Sequence, residues 1–392
     1  MPDVRWLVFV ILLLGMLAAC GIDAAEEPDA ATGLERSAAQ AALEIAGGQR
    51  LGGKVTVLGA WEGSELEAFL AMVKPFQEAT SVSVLFHGTR NLDSVLSRRL
   101  HDGNPPDLAG LPGPGQLPSL ARRGALVDLE TILDMQAIEA QYAQEWLDLG
   151  TVDGRFVGIF IRASVKGLVW YNPQVWRQQG FAIPESWEAL MDLSRRMAGS
   201  SAAPWCLGLE SDAASGWPGT DWIENILLRQ QGSEVYDRWY QGEFPWTSPE
   251  VRQAWQTWGA IVTDPEMIYG GPSAALTTSF AEAGDPLFDD PPGCLMYQQA
   301  SFITDFFTAN NPGVRPGEDF DFFVMPAFDG SGQERLEVAG DLFGMFNDTP
   351  QSSGSDALPC HPRSPGDLGP AWSSHLSQPI GSAQCLPRSL ES

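Results

Sequence analysis

The chain has 392 residues, of which 50 are acidic and 23 basic, so its formal net charge is −27. The acidic residues are spread along the chain and do not form a tail. Phosphate contacts need clustered Lys and Arg, so this composition excludes nucleic acid as a partner. The length is sufficient for two domains of ordinary size.

The first twenty residues have the pattern of a bacterial export signal. Arg5 precedes an apolar run over residues 6–17, which is too short to cross a bilayer comfortably and fits a signal peptide. The run ends in Leu17-Ala18-Ala19-Cys20, which resembles a lipobox. An ordinary N-terminal anchor is the alternative. We therefore predict a signal peptide over residues 1–20, lipidation of Cys20, and an extracytoplasmic protein anchored to the membrane by its lipid.

Residues 21–51 are rich in Ala, Glu and Gly without apolar periodicity, which predicts a flexible tether. From residue 52 the pattern alternates between strands, at 55–58, 82–86 and 107–110, and helices, at 65–78 and 92–100. This alternation indicates βαβ units and a mostly parallel sheet, and therefore an α/β fold.

Further strands are predicted at residues 156–161, 321–325 and 336–346. They indicate a chain that leaves one lobe, builds a second and returns, which makes a two-lobed clamshell. The predicted divisions are lobe 1 over 52–163, lobe 2 over 164–326 and a return to lobe 1 over 327–350.

The five cysteines fall into three groups. Cys20 is the predicted lipid site, whereas Cys206 and Cys294 lie in the body of an exported protein, where a disulfide is expected. Cys360 and Cys385 lie in segment 351–392, which is rich in Gly, Pro and Ser and has no helical or strand period. A disordered natural tail and out-of-frame translation both fit this segment; we favour the second, because Asp348-Thr349-Pro350 begins a helix that does not follow.

Nine motifs occur in an order that resembles extracellular solute-binding proteins (family 1) of carbohydrate ABC importers, in the α-glucoside-binding branch. They are GAWEGSE at 59–65, GTR at 88–90, NPPD at 104–107, WYNP at 170–173, PESW at 184–187, GWPGTDW at 216–222, GGP at 270–272, PPGC at 291–294 and AGD at 339–341.

The resemblance covers residues 52–350 and implies a periplasmic-binding-protein type II-like fold whose two lobes close on a sugar. It also implies a monomer that delivers the sugar to membrane permease subunits, without a cofactor and without chemistry on the ligand. Members of this family usually continue well beyond the position of Pro350, so we expect the clamshell to be incomplete at its C-terminal end.

Sugars present apolar faces and hydroxyl rims, so aromatic rings, carboxylates and guanidinium groups are the expected contacts. The candidate ligand-binding residues are Trp61, Glu65, Arg90, Asp107, Trp170, Tyr171, Trp217, Asp221, Trp222 and Asp341, with Lys166 as a further cleft residue. Structural roles are the alternative, core packing for a tryptophan and capping for Asp107 or Asp221. Tryptophans within helical segments are assigned to the core, namely Trp176, Trp187, Trp239, Trp255 and Trp258.

Two rival functions remain open: an exported carbohydrate hydrolase with a carboxylate pair, and a non-transport sugar sensor with the same fold. No Ser/His/Asp arrangement stands out, so no catalytic residue is predicted. The histidines at 87, 101, 361 and 375 are scattered, and the single close pair, Cys360-His361, lacks a second pair to complete a metal site. No metal is therefore predicted.

Overall fold

The computed structural model describes residues 27–328 and 335–347. Within this part the chain forms two compact units, unit 1 over residues 27–163 and 340–347, and unit 2 over residues 164–328 and 335–339. The boundary between residues 163 and 164 is the one predicted from the sequence. The predicted return at residue 327 is wrong, because the chain stays in unit 2 through Ala339. The predictions for Cys20, Cys360-His361, Cys385 and His375, and for segments 1–20 and 351–392, lie outside the described residues.

Unit 1 contains a five-stranded sheet with helices around it. Its helices are α1 (Glu27–Ile45), α2 (Ser64–Thr80), α3 (Leu92–His101), α4 (Leu117–Arg122), α5 (Met135–Glu139) and α6 (Gln144–Leu149). Its strands are β1 (Lys54–Gly59), β2 (Ser83–Gly88), β3 (Leu108–Leu111), β4 (Thr151–Val152), β5 (Arg155–Phe156), β6 (Ile159–Val165) and β11 (Val338–Met345), of which β6 and β11 cross the boundary between the units.

The sheet of unit 1 has the strand order β2-β1-β3-β11-β6. Strand β1 runs parallel to β2 and β3, and β11 runs antiparallel to β3 with Leu342 opposite Leu111. The strands predicted at 55–58, 82–86 and 107–110 are confirmed. The strand predicted at 156–161 is displaced, because Phe156 pairs in the short hairpin of β4 and β5 and the long strand β6 begins at Ile159.

Helix α1 corrects the prediction of a flexible tether over residues 21–51. Residues 27–45 are helical, and α1 packs against α2. Ala41, Ala42 and Ala46 are buried there. Alanine has the highest helix propensity and lets two helices approach closely, so a segment with only three large apolar residues still forms a packed helix.

Unit 2 contains more helix. Its helices are α7 (Pro173–Gln179), α8 (Trp187–Ala198), α9 (Trp217–Gln231), α10 (Ser233–Tyr240), α11 (Pro249–Val262), α12 (Gly271–Ala275) and α13 (Ile303–Asn310). Its strands are β7 (Leu168–Tyr171), β8 (Ala203–Cys206), β9 (Cys294–Gln298) and β10 (Asp321–Val324), in the sheet order β10-β7-β9-β8. Strands β8 and β9 are parallel, whereas β7 is antiparallel to both β9 and β10.

Local sequence signals start three of these helices. Asn172 accepts hydrogen bonds from the amides of Gln174 and Val175 at the start of α7, and Ser186 accepts one from Ala189 at the start of α8. Ser248 caps α11 in the same way. A short polar side chain before the first turn satisfies amides that have no partner within the helix, which determines where each helix begins.

Two apolar clusters lie in unit 2, one centred on Trp205 and Trp222 and the other on Trp170 and Phe307. The predicted disulfide between Cys206 and Cys294 is confirmed; it joins the neighbouring strands β8 and β9 with their Cα atoms 5.4 Å apart. Among the helices of the described residues, none combines the length and apolar character that a membrane span needs.

Candidate functional site

Unit 1 collects charged side chains at the carboxyl edge of its parallel strands. Trp61 and Arg90 follow the ends of β1 and β2, and Glu65 lies in the first turn of α2. Because β11 is antiparallel to β3, Asp341 near its start lies at the same edge, and Arg162 follows on β6. Ligands of open α/β sheets bind at this edge. We call Trp61, Glu65, Arg90, Arg162 and Asp341 the Glu65 cluster.

Both carboxylate oxygens of Glu65 are engaged. Its Oε2 lies 3.1 Å from Nη2 of Arg90, and its Oε1 lies 2.8 Å from Nη1 of Arg162. The same Nη1 of Arg162 lies 3.6 Å from Oδ2 of Asp341. Glu65 is nearly buried, whereas Arg162 has 27% of its side chain exposed. The cluster therefore has an acidic centre that orients two guanidinium groups, which remain partly accessible to solvent.

Asp341 is held by Trp61 as well as by Arg162. The indole Nε1 of Trp61 donates a hydrogen bond to Oδ2 of Asp341 at 3.0 Å. Burial raises the pKa of Asp341 above its ordinary value, and the charge of Arg162 and the bond from Trp61 oppose that rise. These two contacts favour the ionised carboxylate in a position where burial disfavours it.

Unit 2 has a second group, which we call the Lys166 cluster: Lys166, Asp221, Glu224 and Glu337. The ammonium of Lys166 lies 2.8 Å from Oδ1 of Asp221, 3.1 Å from Oε2 of Glu224 and 3.0 Å from Oε1 of Glu337. Asn225 donates a hydrogen bond to Oε2 of Glu337 at 3.2 Å. One cation, with 17% of its side chain exposed, therefore faces three carboxylates.

The proton balance of the Lys166 cluster follows from burial and charge. Burial lowers the pKa of Lys166, but Asp221, Glu337 and Glu224 outweigh burial and hold that pKa well above its usual range. Burial raises the pKa of Asp221 to about 6 against the opposing charge of Lys166. Burial also raises the pKa of Glu337, and its hydrogen bond with Glu224 adds to the rise.

Gly167 allows this cluster to form. Its φ is +74°, a conformation that glycine adopts without strain, and an added Cβ would collide with Oδ1 of Asn225. Any larger residue at this position would displace the segment that carries Lys166.

Helix α9 presents a tryptophan beside the Lys166 cluster. Trp217, Asp221 and Glu224 are spaced by four and then three residues, which places them on one face of the helix. The Trp217 ring is half-buried, with Phe280 and Phe302 beside it at centroid distances of 4.9 and 5.9 Å. Trp217 is therefore partly accessible, and it precedes the two carboxylates along the same helix.

Three predicted stacking tryptophans are core residues, which corrects their assignment. The ring of Trp61 packs on Phe86, Phe69 and Phe343. Trp170 is buried and donates to the carbonyl of Gln299 at 2.9 Å, and Trp222 is buried against Trp205. At most 7% of each of these three tryptophans is exposed.

Asp107 is also structural. Its Oδ2 accepts hydrogen bonds from the amide and the hydroxyl of Thr56, at 2.8 and 2.7 Å, so it links β1 to β3. Tyr171 is half-buried between Trp176 and Phe323, and burial raises its pKa to about 12. Its role as a ligand contact stays a prediction, as do those of Glu65, Arg90, Trp217, Asp221 and Asp341.

The helical tryptophans assigned to the core follow that prediction with one exception. The assignment of Trp255 to the core is wrong, because 45% of this residue is exposed on α11, whereas the other four tryptophans are buried.

Sequence reasoning missed three residues of the two clusters. Arg162, Glu224 and Glu337 stand in ordinary charged positions, and their partners lie far away along the chain, 97 residues away in the case of Arg162 and Glu65. The alternation of apolar residues in β6 gives no sign that Arg162 pairs with Glu65. Across residues 27–328 and 335–347, no group of His, Cys, Asp and Glu side chains is arranged to hold a metal ion.

Comparison with known sequences gives a consistent set of similarities. A family model described as bacterial extracellular solute-binding protein matches residues 60–356. The osmoprotective compounds-binding protein GgtB of Synechocystis sp. is 40% identical over 299 residues, which cover 76% of this chain and 70% of that protein. The alpha-glucosides-binding periplasmic protein AglE of Rhizobium meliloti is 35% identical over 311 residues, which cover 76% of this chain and 66% of that protein.

Solved structures show the same fold at low sequence identity. A chitin oligosaccharide binding protein aligns with a TM-score of 0.66 at 19% identity, covering 78% of this chain and 75% of that one. Maltose-bound MalE3 of T. maritima aligns with a TM-score of 0.62 at 16% identity, covering 79% and 76%. These similarities confirm the predicted fold class, an α/β fold of the periplasmic-binding-protein type II-like kind.

Proposed function

Because this chain belongs to the bacterial extracellular solute-binding protein family, we propose that it captures an α-glucoside or a related oligosaccharide and delivers it to the permease of an ABC importer. The description of the family as extracellular supports a location outside the cytoplasm. The alpha-glucosides-binding relative, at 35% identity, supports this choice of ligand class.

The Glu65 cluster carries this proposal. Arg90 and Arg162 are partly exposed at the carboxyl edge of the parallel strands, and Glu65 fixes both guanidinium groups in place. A fixed guanidinium donates hydrogen bonds in a planar fork that fits pairs of sugar hydroxyls. Because the ion pairs are formed before the ligand arrives, binding does not have to order these long side chains.

Trp217 supplies the apolar contact in unit 2. Its ring is half-buried and braced by Phe280 and Phe302, so it keeps one orientation. Asp221 and Glu224 follow on the same helix face. An aromatic ring with carboxylates beside it matches the apolar face and the hydroxyl rim of a pyranose.

Calorimetric titration with maltose, sucrose and trehalose tests the proposal. We expect micromolar binding of at least one sugar, which corresponds to about 8 kcal/mol. Trp217→Ala should weaken binding by about 1–3 kcal/mol through the loss of stacking. Trp255→Ala, at an exposed tryptophan outside both clusters, is the matched control and should bind as the unchanged protein does. Flat titrations with all three sugars would overturn the ligand class.

Binding without turnover is part of the proposal. The protein should release no glucose when incubated with maltose or trehalose, as measured by a coupled glucose assay. Sustained release that depends on the protein would assign it to the hydrolases instead.

Attachment through Cys20 and a monomeric state complete the proposal. Expression with labelled fatty acid should label the protein and place it in the membrane fraction, and Cys20→Ser should abolish both. Sedimentation of the Cys20→Ser variant should give the mass of one chain. Labelling that persists in the Cys20→Ser variant would contradict the lipid site.

A further inference from the structure

Unit 2 has an aromatic surface that neither cluster uses. Trp246, on the segment that joins α10 to α11, is 59% exposed, and Tyr240, the last residue of α10, is 52% exposed. Most tryptophans of the described residues are buried, so the exposure of Trp246 is unusual. We call Tyr236, Trp239, Tyr240 and Trp246 the aromatic platform.

The platform is continuous and braced from below. Trp239 is buried and meets the ring of Trp246 edge-on, with centroids 5.3 Å apart at an interplanar angle of 72°. Tyr236 contacts Trp239 at 5.8 Å and Tyr240 at 6.1 Å. The two exposed rings are therefore supported through two further rings, and their orientation does not depend on a ligand.

The connecting loop is held in one conformation. The amides of Gly242 and Glu243 donate to the carbonyls of Trp239 and Arg238, at 2.9 Å each. Arg238 also lies 3.1 Å from the carboxylate of Glu243 and 4.5 Å above the ring of Phe244. Ser248 then begins α11. A loop fixed at both ends presents its side chains with little loss of entropy on binding.

The surroundings of the platform indicate which partner it fits. Gln241, Glu243 and Thr247 are exposed beside the rings and offer amide, carboxylate and hydroxyl groups. Residues 233–248 contain no Lys, and their one Arg is paired with Glu243. An anionic lipid surface would need free basic residues here. The segment contains no Leu, Ile or Met, and its exposed apolar side chains are those of Tyr240, Pro245 and Trp246.

We propose that the aromatic platform is a second carbohydrate-binding surface, which takes a neutral glucan chain by stacking pyranose rings on Trp246 and Tyr240. Gln241 and Glu243 bond the hydroxyl groups at the edge of the chain. Tyr236, which contacts Tyr240, lies within reach of the charges of the Lys166 cluster, whereas the exposed rings of Trp246 and Tyr240 belong to neither cluster. The platform holds the protein near polymeric or branched glucans.

Affinity electrophoresis of the full chain in native gels containing glycogen or dextran tests this proposal. The unchanged protein should be retarded, and Trp246→Ala and Tyr240→Ala should each weaken the retardation about tenfold. Trp246→Phe should retain part of it, because a smaller ring remains. Tyr269→Ala removes another exposed aromatic ring of unit 2 and should leave the retardation unchanged.

The outcomes separate this surface from the proposed transport function. In calorimetry, Trp246→Ala should bind maltose, sucrose and trehalose with the affinity of the unchanged protein. Trp217→Ala should be retarded in glucan gels as strongly as the unchanged protein is. Equal mobility with and without both glucans would overturn the proposal. So would retardation that survives in both Trp246→Ala and Tyr240→Ala. If the unchanged protein floats with lipid vesicles or dimerises, and Trp246→Ala does neither, the platform binds a membrane or a second copy of the chain. Either result would also overturn the proposal of a glucan-binding surface.

Discussion

Lys166 and Glu337 are joined twice, once through their side chains at 3.0 Å and once through the amide of Lys166, which donates to the carbonyl oxygen of Glu337 at 2.8 Å. The chain enters unit 2 at Ser164 and leaves it at Ala339. The two residues therefore fasten the entering and leaving segments of this unit to each other, and Asp221 and Glu224 fasten both to α9.

Replacing Lys166 by Met should destabilise the protein strongly. The change leaves three carboxylates in a buried cluster without their cation, a loss of about 3–5 kcal/mol for a buried pair. Urea denaturation followed by circular dichroism measures the free energy of unfolding. Arg195→Ala is the control, because it removes an exposed ion pair with Asp192 and should change that free energy by less than about 1 kcal/mol. A Lys166→Met variant as stable as Arg195→Ala would show that the cluster is energetically neutral.

Stability should rise as the pH falls from 7 to 5, opposite to the usual effect of acid. Burial raises the pKa of Asp221 to about 6, and the pKa of Glu337 is also raised, so below these values the folded protein holds protons that the unfolded chain has released. This contribution to the free energy of unfolding is fully present below the pKa that the carboxyl has in the unfolded chain. It is lost as the pH rises through the pKa that the carboxyl has in the folded protein.

For Asp221 alone, a pKa raised from 3.8 to about 6 contributes about 1–1.5 kcal/mol between pH 7.5 and pH 5. Urea denaturation at pH 5 and pH 7.5 measures it as a difference in the free energy of unfolding. Asp221→Asn cannot titrate, so its difference between the two pH values should be smaller. Identical pH dependence in the two proteins would contradict the raised pKa of Asp221.

Glu65→Gln should weaken both the fold of unit 1 and sugar binding. The amide keeps the shape of the side chain but has one acceptor oxygen in place of two, so it cannot hold Arg90 and Arg162 together. We expect a loss of about 1–3 kcal/mol in unfolding free energy and weaker binding of the sugar in calorimetry. Glu62→Gln changes an exposed neighbour and should alter neither measurement. Unchanged sugar affinity in Glu65→Gln would remove the two arginines from the site.

Removing the disulfide by changing Cys206 and Cys294 to Ala should cost about 4–5 kcal/mol, because the bond closes a loop of 88 residues in the unfolded chain. Thermal or urea unfolding of the double variant measures this loss. The unchanged protein unfolded in the presence of a reductant should approach the variant. A variant that matches the oxidised protein would show that the loop is already constrained by other contacts.

The helices and strands that were predicted correctly from the sequence were predictable for one physical reason. Strands β1, β2 and β3 are short β-branched or apolar runs bounded by Gly or Pro, and helices α2 and α3 have clear amphipathic periods. These signals act over a few residues and appear directly in the order of the amino acids. Helix α1 was missed because its described buried residues are Ala41 and Ala42, and alanines do not register as apolar periodicity.

Whether each tryptophan is buried or exposed could not be predicted from such local signals. Trp61 and Trp217 both stand beside glycines in loop-like motifs, yet the first is enclosed by three phenylalanine rings and the second is half-buried. Which neighbours reach a side chain depends on residues far along the chain. For Trp61 they include Phe343 and Asp341, on a strand that joins the sheet of unit 1 from the far end of the described chain.

By itself, the order of residues determined the family, the α/β fold class and the disulfide, because motifs and strand periods are local or directly countable. The tertiary structure alone decided that Glu65 holds two arginines, that Lys166 faces three carboxylates, and that Trp61, Trp170 and Trp222 are core residues. Such pairings arise from distances between separate segments. Charge balance and burial act through space, and these distances are set by how strands such as β6 and β11 pack.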